Sequence, residues 1–141
     1  MSITPEKLTV KEIMSSPVIT IGPTASVFEA AKIMAENRIG SLIVIEGGKP
    51  IGIITKTDLV FKVIATGRST TGTVVGDIMS TPLRYVEPNV SLLEAARIMQ
   101  KLNIRHLPVI KGDKVIGIIT DRDILSVAPE LIEMLIVRSK R

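Results

Sequence analysis

The chain has 141 residues, of which 45% are hydrophobic and 23% charged, so it has enough apolar side chains to fill a core. It contains no cysteine, which excludes disulfides, thiolate catalysis and cysteine-ligated zinc. The net charge is +4, but without Arg138, Lys140 and Arg141 the balance is 15 basic against 14 acidic residues, so the charge is weak support for a nucleic-acid partner.

The N-terminal residues and the apolar runs bear on where the protein acts. MSITPEKL (1–8) lacks the basic flank and following apolar stretch of a secretory signal. The apolar runs LIVI (42–45) and LIEMLIV (131–137) are too short to cross a bilayer. We therefore expect a cytoplasmic protein that has no membrane partner.

An internal repeat organises the chain. Residues 10–59, shifted by 65 positions, align without a gap on residues 75–124, and 24 of the 50 positions are identical. Within this repeat VKEIMSSP matches VGDIMSTP, and Ile-Gly-Ile-Ile-Thr-x-x-Asp occurs in both copies. Two copies are too few for a solenoid. Two similar units usually bury their open faces against each other, so we expect pseudo-twofold symmetry.

Each copy begins with a short helical turn that ends at Pro17 or Pro82, followed by an extended segment, VITI (18–21) or LRYV (83–86). A helix comes next, and its start predicts a capping box, in which a serine accepts from a free N–H and a glutamate bonds back. The pairs are Ser26 with Glu29 and Ser91 with Glu94. The apolar positions behind them have helical spacing, and they are Val27, Ala30, Ala31 and Met34, then Leu92, Ala95, Ala96 and Met99.

Two β-rich runs joined by a glycine-containing turn then predict a hairpin in each copy. The runs are SLIVI (41–45) with IGIIT (51–55), and HLPVI (106–110) with IGIIT (116–120). Because the apolar residues are continuous, both faces of each hairpin should be covered. Another helix should begin after each hairpin. Residues 66–74 are the predicted linker, and the expected divisions are 1–68 for the first copy, 69–128 for the second, and 129–141 for a helical C-terminal extension.

These residues resemble a tandem pair of CBS domains (cystathionine-β-synthase-type domains), the arrangement called a Bateman module. The resemblance covers residues 10–126 and rests on MSSP/MSTP, SVFEAAKIM/SLLEAARIM, IRHLPVI and GIITKTD/GIITDRD, in register in the two copies. It implies a small stand-alone regulatory protein of α+β fold, in which two β-α-β-β-α units pack through their sheets and leave two clefts. It also implies a homodimer, because such modules commonly dimerise.

The resemblance further implies that an adenosine nucleotide (AMP, ADP or ATP) binds in a cleft and that a regulated partner protein, which the sequence does not identify, responds. Mg²⁺ would accompany ATP alone, and no other cofactor or metal is expected. The expected ligand-binding residues of one cleft are Ile19, Thr20, Ile39, Gly40, Ser41, Arg105, His106, Pro108, Ile118, Thr120, Arg122 and Asp123. Those of the second cleft are Tyr85, Ile104, Ile53, Thr55, Lys56 and Asp58.

The repeated Thr-x-x-Asp has two interpretations. In the structural one, Thr55 and Thr120 are helix N-caps and the aspartate completes a capping box, worth about 1 kcal/mol. In the functional one, the free N–H groups of the helix attract a phosphate, to which the Thr120 hydroxyl also donates. Asp123 then accepts from the ribose hydroxyls, and Arg122 and Lys56 add positive charge. The two interpretations are compatible.

The two clefts are not expected to be equivalent. Opposite Thr120, the small residues Gly40 and Ser41 would let backbone groups reach an adenine. The corresponding positions of the other cleft are Arg105 and His106. Arg105 either binds phosphate or makes a surface ion pair, and His106 either meets the ligand or bonds to backbone. We expect the cleft with Thr120 to be the better nucleotide site.

Three other functions are alternatives to nucleotide sensing. The chain has no G-x-x-x-x-G-K-[ST], G-x-S-x-G or H-E-x-x-H motif and a single histidine, so an enzyme is not expected. Nucleic-acid binding is not expected either, because there are three aromatic residues and the basic excess sits in the tail. A protein-interaction or structural module with an empty cleft stays open as the alternative.

Overall fold

The structure is a computed structural model that describes residues 4–136. These residues form two compact units. The first unit contains residues 18–83, and the second unit contains residues 4–17 together with residues 84–136. The helical turn that opens each sequence copy thus belongs to the unit that holds the hairpin of the other copy. The divisions expected from the sequence follow the chain and do not include this exchange.

The elements have the order expected from the repeat. They are α1 (Val10–Ile13), β1 (Thr20–Ile21), α2 (Val27–Asn37), β2 (Ser41–Glu46), β3 (Lys49–Thr55), α3 (Lys56–Asp58) with a π-helix directly after it (Leu59–Ile64), a 3₁₀ turn (Val75–Asp77), α4 (Leu92–Leu102), β4 (His106–Lys111), β5 (Lys114–Thr120), α5 (Asp121–Val127), a second 3₁₀ turn (Pro129–Leu131) and α6 (Ile132–Leu135). The longest helices of the described residues, α2 and α4, have 11 residues each, and neither could cross a membrane.

The first unit combines a three-stranded sheet with helices. β1 runs parallel to β2, and β2 forms an antiparallel hairpin with β3. The hairpin turn contains Gly47 and Gly48, both with positive φ, which glycine adopts without steric cost. The core is aliphatic and consists of Ile21, Val27, Ala30, Met34, Leu42, Val44, Ile54, Val63, Val75 and Ile78.

The second unit repeats this plan around the β4–β5 hairpin. Val86 pairs with Val109 as an isolated parallel bridge, so the predicted extended segment 83–86 is not a full strand. On the other side of the hairpin, Ser15 pairs with Ile118. The core consists of Val10, Val86, Leu92, Ala95, Ala96, Met99, Leu107, Val109, Ile119, Ile124, Ala128, Leu131 and Leu135.

The exchanged helical turns explain the glycine in Ile-Gly-Ile-Ile-Thr. A Cβ on Gly117 would overlap the sulfur of Met14, the methionine that follows α1. A Cβ on Gly52 would lie 2.8 Å from the sulfur of Met79, at the equivalent position of the other copy. The methionine of Met-Ser-x-Pro therefore packs on the strand where the absence of a side chain leaves room.

Both predicted hairpins are confirmed. Both faces of β2 and β4 are buried, as expected, but one face of β3 and of β5 is only half-buried. Leu42, Ile43 and Val44 are consecutive, so they point to alternate faces of the strand, and all are at most 1% exposed. Two details of the helices differ from expectation. Glu29 N–H and Glu94 N–H each donate to the capping serine at 3.1 Å, but among the described residues neither glutamate bonds back. Ala31, expected to face the core, is exposed, whereas its equivalent Ala96 is buried.

The segment after Pro129 is short and packed. The 3₁₀ turn Pro129–Leu131 contacts α5, and α6 contacts α4. Leu131 and Leu135 are 8% and 0% exposed. The helical extension predicted for residues 129–141 is thus seen as far as residue 136, and residues 137–141, with the basic tail, lie outside the described residues.

Candidate functional site

The second copy of Thr-x-x-Asp lies where β5 passes into α5. Asp123 N–H donates to Thr120 Oγ1 at 3.1 Å, and Thr120 N–H donates to Asp123 Oδ2 at 3.0 Å. The capping box predicted by the structural interpretation is therefore confirmed. The box uses one carboxylate oxygen. Among residues 4–136, Asp123 Oδ1 accepts no hydrogen bond and the Thr120 hydroxyl donates none. Both groups can therefore form a hydrogen bond with a ligand.

The first copy, at the junction of β3 and α3, is more tightly bonded. Thr55 donates to Asp58 Oδ2 with its N–H at 2.9 Å and with its hydroxyl at 3.2 Å. The Ser80 hydroxyl donates to Asp58 Oδ1 at 3.0 Å, and Lys62 Nζ lies 2.8 Å from the same oxygen. Asp58 is 4% exposed. Both oxygens of this carboxylate are bonded inside the first unit.

The difference between the two aspartates follows from two residue positions. Lys62 occupies the position that is Val127 in the second copy, so α5 carries no cation four residues after Asp123. Ser80 occupies the position that is Ser15 in the first copy, and within the described residues the Ser15 side chain makes no hydrogen bond. Asp123 is half-buried, whereas Asp58 is buried.

Three further predicted residues lie close to Thr120 in the chain or in the sheet. His106 is half-buried and lies opposite Thr120 in the hairpin register. Arg105 Nε is 4.0 Å from Asp121 Oδ2, and its side chain is about half exposed, so the predicted ion pair is present but at its distance limit. Arg122 is exposed on the first turn of α5. Two arginines thus accompany the free Asp123 oxygen within one unit.

The other predicted residues are divided between the units. In the second unit, Pro108 lies opposite Ile118 in the hairpin, Tyr85 is exposed and Ile104 packs on the core. In the first unit, Ile19 and Ile39 pack on the core, and Thr20 is exposed. Ser41 is buried and lies opposite Thr55 in the hairpin. Gly40 O accepts from Lys56 N–H at 3.0 Å, and Ile53 pairs with Ser80. Their grouping into two clefts stays a prediction.

The sequence interpretation missed Ser80 and Lys62 as partners of Asp58. The sequence position of Lys62 could have indicated its contact with Asp58, because side chains four residues apart meet on a helix. No sequence pattern indicates the contact of Ser80, since it lies 22 residues from Asp58 and reaches it through the exchanged helical turn.

The duplicated hairpin-and-helix units and their paired Thr-x-x-Asp caps define a two-domain module. The family model of the CBS domain matches residues 10–65 and 75–130. The chain belongs to the CBS-domain family, and it carries a CBS pair, a module that is generally regulatory.

Relatives and solved structures agree with this assignment. Uncharacterized protein MK0525 of Methanopyrus kandleri is 41% identical over 127 residues, which cover 89% of this chain and 65% of that protein. Uncharacterized protein MJ0653 of Methanocaldococcus jannaschii is 39% identical over 127 residues, covering 90% and 66%. The chain thus spans just under two thirds of both relatives. The crystal structure of the CBS domain pair of protein MJ0100, in complex with 5′-methylthioadenosine and S-adenosyl-L-methionine, has a TM-score of 0.77 and 33% identity, covering 84% of this chain and 93% of that one.

Proposed function

We propose that this CBS pair senses an adenosine nucleotide through Thr120 and Asp123 and transmits its presence to a partner protein. AMP, ADP and ATP are the proposed ligands. The observation that carries the proposal is the unused half of the Thr120–Asp123 capping box. Within the described part of the chain, a carboxylate oxygen and a hydroxyl proton have no partner there, whereas the equivalent groups of Thr55 and Asp58 are bonded within their unit.

The chemistry of these groups suits a nucleotide. Asp123 Oδ1 would accept from a ribose hydroxyl while Oδ2 keeps its bond to Thr120 N–H. The Thr120 hydroxyl would donate to a phosphate oxygen. Arg122 and Arg105 would supply positive charge, and Arg105 can move because its contact with Asp121 is 4.0 Å long and its own side chain is half exposed. The cap thus need not break when a ligand binds.

The asymmetry of the two motifs leads us to propose one nucleotide per chain. A ligand at Asp58 would have to displace the Ser80 hydroxyl and the Lys62 ammonium from a buried carboxylate. Hydrogen bonds to a charged group contribute about 1.5–3 kcal/mol each, which the ligand would have to recover. No such displacement is needed at Asp123.

Two further considerations support a regulatory role for an adenosine ligand. The MJ0100 pair, which is similar to this chain, was crystallised with two adenosine-derived ligands. CBS pairs are generally regulatory, so we propose that binding alters a partner's state and that no chemical step occurs here. The ligand can shift that state only by its difference in affinity for the partner's alternative arrangements.

A thermal-shift panel with AMP, ADP, ATP, S-adenosylmethionine and guanosine nucleotides tests the proposal. A ligand at a hundredfold its Kd stabilises the folded protein by about 2.7 kcal/mol, which is readily measured. We expect a shift with AMP, ADP or ATP and none with guanosine nucleotides. Asp123→Asn should weaken the response at least about tenfold while leaving the unliganded Tm nearly unchanged, because the asparagine amide oxygen can still accept from Thr120 N–H.

Asp58→Asn is the matched control, and it should retain the ligand response. If Asp123→Asn binds nucleotide as well as the unaltered protein, the aspartate is only a cap. If no adenosine compound shifts the Tm, the alternative applies, namely a CBS pair that acts as a protein-interaction module.

A further inference from the structure

A polar groove lies beside the turn of the β4–β5 hairpin, within the second unit. Lys11 lines it from α1, Glu87 and Asn89 line it from the segment before α4, and Lys111 and Gly112 line it from the hairpin. Its volume is about 450 Å³. Small-molecule sites have volumes of about 300–1,000 Å³, so the groove is large enough for a metabolite.

The charged side chains of this groove do not neutralise one another. Lys11 and Lys111 contribute two positive charges, and Glu87 contributes the one negative charge of the lining. Within residues 4–136, none of the three forms an ion pair or a side-chain hydrogen bond. All three are exposed, so their charged ends can turn towards a ligand.

The hairpin turn adds to the excess of positive charge. Lys111 lies directly opposite Lys114 in the hairpin register, and like charges at opposite positions destabilise a strand pair. In the first hairpin the equivalent pair is Glu46 with Lys49, whose charges are opposite. Asp113, in the turn, forms no ion pair with either lysine in the part of the chain that the structure describes. An anion beside Lys111 would offset the repulsion between the lysines.

The groove is specific to the second unit and separate from the proposed nucleotide site. Its charged residues Lys11, Glu87 and Lys111 correspond in the repeat to Gly76, Gly22 and Glu46. β5 begins at Lys114, beside the groove, and ends at Thr120. The ends of a strand of this length are roughly 20 Å apart. A ligand in the groove would therefore use none of the residues assigned to nucleotide binding.

We propose that this groove binds a phosphorylated sugar or polyol. Its phosphate group carries close to two negative charges at neutral pH, and these match the ammonium groups of Lys11 and Lys111. The Glu87 carboxylate accepts hydrogen bonds from the hydroxyl groups of the ligand, and the Asn89 amide both accepts and donates. A site for inorganic phosphate alone would gain nothing from Glu87, whereas a hydroxylated phosphate ester uses every polar side chain named here.

Two-dimensional ¹H–¹⁵N NMR of the whole chain, titrated with glucose 6-phosphate, tests this inference. We expect saturable shifts of the backbone amide signals of Lys11, Asn89, Lys111 and Gly112, and none at Thr120. Lys11→Gln and Lys111→Gln should each weaken binding at least about tenfold. Both side chains are exposed, so the fold should survive. Added salt should also weaken binding, because the phosphate is held by exposed charges.

The matched control is Lys49→Gln, an exposed lysine at the turn of the first hairpin, which should not affect binding. Inorganic phosphate should bind more weakly than glucose 6-phosphate, and Glu87→Ala should reduce that difference. Absence of saturable shifts at the groove overturns the inference, as does binding that both Lys11→Gln and Lys111→Gln retain. Equal affinity for inorganic phosphate and glucose 6-phosphate also overturns it, because the hydroxyl contacts are then not made. An acidic peptide that shifts these signals while glucose 6-phosphate does not would likewise overturn it, in favour of a protein partner.

Discussion

The two aspartates of the repeat should contribute unequally to stability, although they occupy the same position in their copies. Asp123→Ala keeps the Thr120 cap and removes the carboxylate that accepts from Thr120 N–H, which costs about 1 kcal/mol. Asp58→Ala removes the same kind of hydrogen bond, from Thr55 N–H, and also the acceptor of the Ser80 hydroxyl. A hydrogen bond to a charged group contributes about 1.5–3 kcal/mol. Because the Lys62 side chain is 46% exposed, its ion pair adds only a few tenths of a kcal/mol.

The expected losses are therefore about 3–4 kcal/mol for Asp58→Ala and about 1 kcal/mol for Asp123→Ala. Equilibrium unfolding in urea, followed by circular dichroism with a check of the m-value, measures both. The serines provide a matched pair, since Ser80→Ala should lower the free energy of unfolding and Ser15→Ala should leave it nearly unchanged. Equal losses for the two aspartates, or for the two serines, would refute the reasoning.

Two other predictions concern packing in the second unit. Gly117→Ala should lower the free energy of unfolding by about 1–3 kcal/mol because the new Cβ displaces Met14, and the loss should be smaller in a Met14→Ala background. Strictly additive effects in a double-mutant cycle would show that the two residues do not contact each other. Leu135→Ala should destabilise by about 2–5 kcal/mol because the side chain is fully buried, and an unchanged urea midpoint would show that α6 does not close the core.

The sequence predicted the local elements well because the repeat presented each pattern twice. The continuous aliphatic residues before Ile-Gly-Ile-Ile-Thr predicted the hairpins, and the spacing of threonine and aspartate predicted the caps at Thr120 and Thr55. Both interpretations of the motif rest on that spacing. The structure adds that both oxygens of Asp58 are bonded, whereas one oxygen of Asp123 has no donor among residues 4–136.

What the sequence could not predict depends on contacts between distant parts of the chain. The packing of Met14 on Gly117 joins residues about a hundred positions apart, and neither residue's local pattern indicates the other. The exposure of Ala31 was missed for a similar reason. Helical periodicity places Ala31 and Ala96 on the same face, and only the presence of α6 in one unit makes one of them buried.

The most direct test of nucleotide sensing through Thr120 and Asp123 is a count of bound nucleotide by isothermal titration calorimetry. We predict one AMP, ADP or ATP per chain for the unaltered protein and for Asp58→Asn, and no measurable binding for Asp123→Ala. Two equivalent sites per chain, or a stoichiometry of one that Asp58→Asn abolishes and Asp123→Ala preserves, would contradict the account.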